Sequence, residues 1–175
     1  MDDERIARQA VTEGTRHAVW SEMLDAARMA RYAEKMESRF RNRHSAVRFG
    51  LLLSATGSVA TVLNMLPEQW QMIPNLGIAV LVTWDFMSDY GTKIAVLNSA
   101  KRECQDLETE WRQLWLDVDS AAVTDSDIRE RNKELSRRLG RATIPMDVHV
   151  KVSEKINVAT TADAYRVTED RYATR

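Results

Sequence analysis

Between Arg48 and Asp85 the chain carries one ionisable side chain, Glu68, and it sits beside Pro67. The pattern is two apolar runs with a polar turn between them. The first run, Phe49 to Leu66, reaches about 27 Å as a helix, close to the roughly 30 Å of a bilayer's hydrocarbon. The second is less clean, because its uninterrupted apolar part, Leu76 to Trp84, falls well short of the ~20 residues a span needs. To cross, it starts near Met72 or Ile73, runs to about residue 92, and carries Asp85 and Asp89 toward the far interface.

On either side of these runs the apolar positions return to helical spacing. Residues 1–48 predict a charged helix, starting near Asp3 or Thr15, with Met29, Ala33, Met36 and Phe40 on one face; it runs on into the first apolar segment. Residues 93–140 predict a long helix and a second one after it. In the long helix Leu97, Ala100, Cys104, Leu107, Trp111, Leu114 and Val118 follow steps of three and four, the a and d positions of a coiled coil. The basic N-terminal helix, packed antiparallel, is the most economical partner for this seam, although another subunit satisfies the same pattern.

Thr124 with Asp127 makes a capping box for a helix from Asp125 to Leu139, with Ile128, Asn132, Leu135 and Leu139 on one face and Gly140 as its stop. Residues 141–175 read as a tail, extended where Val148, Val150 and Val152 alternate and ending in a short helix. The fold class is therefore all-α: a two-helix transmembrane hairpin over 49–92 (49–66 and about 73–92), continuous with a cytoplasmic coiled-coil-like bundle.

Charge changes the picture through its distribution, since the formal net charge is only −1. Residues 28 to 48 hold Arg28, Arg31, Lys35, Arg39, Arg41, Arg43 and Arg48 against Glu34 and Glu37. By the positive-inside rule this cluster stays cytoplasmic, and Lys93, Lys101 and Arg102 hold the far end of the second run on the same side. The external turn is then "NMLPEQWQMIPN", with Trp70 at headgroup level and Pro67 and Pro74 stopping and restarting the helices. The basic cluster has little aromatic interleaving and adjoins an apolar span, so nucleic acid is not the expected partner. "MDDERIARQA" lacks the basic and apolar regions of a signal peptide, so no cleaved leader is expected.

Catalytic chemistry is hard to assemble from these residues. His17, His44 and His149 lie far apart, and the single cysteine, Cys104, falls on the apolar seam as a packed thiol. "GLLLSATG" lacks the lysine and the spacing of a phosphate loop. The expectation is a non-enzyme without cofactor or metal. Two other features are candidates for function. Ala46, Gly50, Ser54 and Ser58 recur every four positions along the first span, a small-residue row of the kind that lets helices approach closely in lipid, within the hairpin or between subunits. Asp85 and Asp89 form an acidic pair one turn apart, either at membrane depth or just outside it, and antiparallel pairing makes Arg48 their candidate charge partner. Several copies would place acidic rings near the cytoplasmic mouth.

A charged helix ending in "ARYAEKMESRFRNRHSAVRF", a tight two-helix hairpin and a long helix opening "SDYGTKIAVLNSAKRECQDLETEWRQLW" together resemble the SLATT family over roughly residues 20 to 140. These are small bacterial proteins with two transmembrane helices and a cytoplasmic helical part, found beside nucleotide second-messenger synthases, SLOG-type sensors or reverse transcriptases. The resemblance implies an effector of anti-phage defence that oligomerises and permeabilises the inner membrane when triggered. The charge distribution puts both termini in the cytoplasm, and without an appended sensor domain the expected trigger is a separate sensor or signal-generating protein, or a diffusible signal. The rival expectation is a soluble helical scaffold whose hairpin is a buried core and whose heptad seam binds a partner helix.

Overall fold

The computed structural model describes residues 11–55, 72–120 and 123–172. These form five helices and, among the described residues, no strand: α1 (Glu13–Ala55), α2 (Met72–Ser88), α3 (Tyr90–Ser120), α4 (Asp125–His149) and α5 (Glu154–Tyr172). The chain divides into two units. Residues 37–95 make one, and residues up to 36 together with those from 96 onward make the other.

The larger unit is a four-helix bundle of the first part of α1, most of α3, and α4 and α5. All seven seam residues of α3 are buried, Leu97, Cys104, Leu107 and Trp111 completely so. From Cys104 to Val118 the seam packs with Val19, Met23, Ala26 and Ala30 of α1 and with Ile128, Leu135 and Leu139 of α4 in one apolar cluster. Alanines on α1 let its backbone approach the bulkier α3 residues. The two helices run antiparallel: Trp20, early in α1, meets Trp115, late in α3, at 5.4 Å between ring centroids. The start of α1 also reaches the start of α4, where the Thr12 backbone N–H donates to Asp125 Oδ1 at 2.9 Å.

One polar pair lies within this apolar layer. Trp111 Nε1 donates to Asn132 Oδ1 at 2.7 Å, so the asparagine on the apolar face of α4 satisfies an indole that burial would otherwise leave unpaired. Thr124 caps α4 by accepting from the Asp127 N–H at 3.3 Å. At the bundle's surface Arg138 joins α4 to α3 through Glu110 at 2.8 Å and Glu103 at 3.4 Å.

Two boundaries differ from the sequence expectation. α4 does not stop at Gly140 but continues through Pro145 to His149. A helical glycine costs about 1 kcal/mol, whereas the extra turns bury Met146 and bring Val150 into the core, a gain of roughly 1.5–3 kcal/mol for each large side chain. The extended stretch shrinks to residues 150–153, with the Ser153 N–H donating to Tyr32 Oη at 3.0 Å. The final helix is not short: α5 has 19 residues. Its covered face is Thr160, Ala164 and Thr168, and both threonine hydroxyls donate to backbone carbonyls of their own helix.

Candidate functional site

The smaller unit contains the end of α1, all of α2 and the start of α3. α1 extends beyond Arg48 to Ala55, and the rest of the first apolar run, with Ser58, Pro67 and Trp70, lies outside the described residues. α2 spans 17 residues, about 25 Å of rise. Pro74 is accommodated because it falls in the first turn, where backbone N–H groups have no helical acceptor. No helix among the described residues is long and apolar enough to cross a membrane.

From residue 76 to 88, only Ile78, Leu81, Asp85 and Ser88 are less than exposed. Their steps of three, four and three trace one stripe along α2. This stripe is turned toward α1: a Cβ placed on Gly50 would lie 3.8 Å from Leu81 Cδ1, and His44 Nε2 lies 3.9 Å from Asp85 Oδ1. Over residues 76–88 the remaining surface of α2 is mostly apolar and uncovered. Leu76, Val80, Val82, Trp84 and Met87 are at least half exposed, and Phe86 is 88% exposed. Phe49, Leu52 and Leu53 at the end of α1 add to the same kind of surface.

The polar groups on this surface are satisfied from within. The Thr83 hydroxyl donates to the Ala79 carbonyl at 2.8 Å, and Trp84 Nε1 donates to Tyr90 Oη at 3.1 Å. At the end of α2, Lys93 Nζ donates to the Ser88 carbonyl at 2.7 Å and stands 5.9 Å above the Phe40 ring. The buried Tyr90 ring lies between Phe40, at 6.1 Å, and His44, at 5.9 Å.

The expected site residues are brought together only in part. The helix breaks at Asp89, whose φ of 44° places it in the left-handed region, so Asp85 and Asp89 do not share one helical face. Asp85 meets His44, one turn before Arg48, and Arg48 itself is exposed. In the small-residue row, Gly50 serves the contact inside the hairpin, Ala46 is exposed, Ser54 lies within α1, and Ser58 is outside the described residues. The role of His44 was missed in the sequence reading. Its signal was its position one turn before Arg48, on the helix expected to pair with the second run.

No family model, curated protein or solved structure matches this chain. Function therefore has to be argued from the hairpin itself. In the bundle, Cys104 is fully buried, and burial, with the Glu103 carboxylate second, pushes its thiol up to about 11. A thiol held neutral and covered in this way is packing, not a nucleophile. Among the described residues no group of histidine, cysteine and acidic side chains could hold a metal ion.

Proposed function

We propose that this chain is a membrane-inserted effector of bacterial anti-phage defence, in which the hairpin enters the inner membrane with both termini cytoplasmic. Once triggered, it oligomerises and permeabilises that membrane. The observation that carries the reading is the uncovered, mostly apolar arc of α2, which over residues 76–88 takes every side of the helix except one stripe. A helix apolar all round belongs in a protein core or in lipid. Moving the exposed Leu, Val, Trp, Phe and Met side chains of the hairpin out of water gains on the order of 10 kcal/mol. Against this, an aspartate costs roughly 2.5–3.5 kcal/mol at the membrane centre and less near the interface. The balance favours insertion, with a helix of this length drawing the bilayer thinner or lying near one interface.

The resemblance to the SLATT family supports the effector role, and a separate sensor or a diffusible signal supplies the trigger. Assembly through the small-residue row uses its exposed member, Ala46, because Gly50 is engaged inside the hairpin. The rival reading, a scaffold whose seam binds a partner helix, is disfavoured by one feature. All seven seam residues are already buried within this chain, those from Cys104 to Val118 in a cluster with α1 and α4.

The test is induced expression in a bacterium with a potential-sensitive dye. Depolarisation that Ala46→Leu abolishes, with the protein still membrane-bound, is the expected result. Membrane-bound protein that never changes the potential, even at high expression and with candidate triggers present, points to a passive anchor.

A further inference from the structure

Arg39, Arg43 and Arg48, on the part of α1 that belongs to the hairpin unit, are exposed and make no ion pair or hydrogen bond among the described residues. Of the described acids in that unit, Glu37 pairs with Arg41, Asp85 lies against His44, and Asp89 stands in the turn between α2 and α3. Lys93 spends its ammonium on the Ser88 carbonyl. Three guanidinium groups are left to the surroundings.

What stands beside them points to the partner. Phe40 meets Tyr90 and His44 meets Asp85, a register that puts Met87 and Phe86 at the height of Arg41 to Arg43. Both side chains are mostly exposed, and Trp84, just beyond them, is more than half exposed. Water suits the arginines and penalises the apolar side chains, and a nucleic-acid backbone likewise serves the arginines alone. A layer of lipid phosphates above acyl chains suits both. The arginines are also spread rather than gathered. At about 100° per residue Arg48 lies roughly 140° round α1 from Arg43, and Arg39 to Arg48 covers about 14 Å of rise. They face different directions, which suits many separate headgroups better than one small anion, with Arg48 extending its stem outward to reach them.

We propose that Arg39, Arg43 and Arg48 form a belt that binds the phosphate groups of anionic lipids and gives the hairpin a preference for a negatively charged leaflet. This deepens the membrane reading above and rests on it. A guanidinium grips a phosphate through two parallel N–H donors. Each basic side chain near an anionic surface strengthens binding about fivefold, so the three together contribute on the order of a hundredfold, and salt screens the effect.

The test is flotation of the purified full chain, diluted from detergent, with vesicles of phosphatidylcholine, or of phosphatidylcholine and phosphatidylglycerol in equal parts, at low salt. The lipid concentration that floats half the protein is expected to be about a hundredfold lower for the anionic vesicles. The triple variant Arg39→Gln, Arg43→Gln, Arg48→Gln should float alike with both, and the corresponding triple lysine variant should keep most of the preference. Removing three exposed charges of the bundle, Lys133→Gln, Lys151→Gln and Lys155→Gln, should leave the preference unchanged. A parent chain that floats equally with both vesicles overturns the belt and leaves the membrane reading standing, whereas one that floats with neither overturns both. A preference that survives the glutamine variant, or that the bundle variant loses equally, also overturns the belt. Binding of the parent chain to duplex DNA without vesicles, lost in the glutamine variant, would assign the belt to nucleic acid instead.

Discussion

Trp111 and Asn132 show how one polar contact can decide whether a residue belongs in a core. The indole is completely buried and its N–H is spent on the Asn132 carbonyl oxygen. Trp111→Phe keeps most of the apolar area and leaves the asparagine without its donor. It should lower stability by about 1–3 kcal/mol, measured by urea denaturation, and Asn132→Leu in the same chain should recover part of the loss. Cys104 gives a pH prediction. Its thiol is raised from an ordinary 9.0 to about 11 in the fold, so the unfolded chain ionises first. The associated stability is fully present below pH 9 and is lost as pH rises toward 11. Melting temperatures between pH 8 and 11 should fall more steeply for the parent chain than for Cys104→Ala.

Among the elements, the seam and the misread helix end show what a sequence can convey. Seven residues from Leu97 to Val118 were legible because helical spacing maps directly onto one face, and all seven are buried. Gly140 was misleading because its weak helix-breaking tendency is outweighed by the burial of Met146 and Val150, a gain visible only once α4 is docked. The valine alternation from 148 to 152 has period two, but its first member, Val148, falls inside α4. His44 could not be paired with Asp85 from the sequence, since their contact depends on the register of α1 against α2. The break between α2 and α3 carries its own prediction. Asp89 occupies the left-handed region with φ 44°, which asparagine and aspartate tolerate and glycine prefers. Asp89→Gly should therefore be neutral or stabilise the chain by up to about 1 kcal/mol in thermal unfolding. A large loss instead would mean that the carboxylate itself holds the turn.

For the whole molecule, the two units differ in how they treat apolar surface. The bundle covers its seam from several sides, and its charges pair across helices, as where Lys35 of α1 reaches Asp163 of α5 and, with a smaller contribution from Arg166 of the same helix as Asp163, holds that carboxyl below the usual range. The hairpin leaves Leu76, Val80, Phe86 and Met87 uncovered while the Thr83 hydroxyl and the Trp84 indole are satisfied internally. Water rewards the first arrangement and penalises the second, and that contrast is the basis for reading the hairpin as membrane-inserted. The most direct test is alkaline carbonate extraction of membranes from cells expressing the full chain, beside a Val80→Lys, Met87→Lys double variant. The parent chain should remain in the pellet while the variant, with charges on the uncovered face of α2, is released. A parent chain that stays in the supernatant after ultracentrifugation without detergent would contradict the membrane reading.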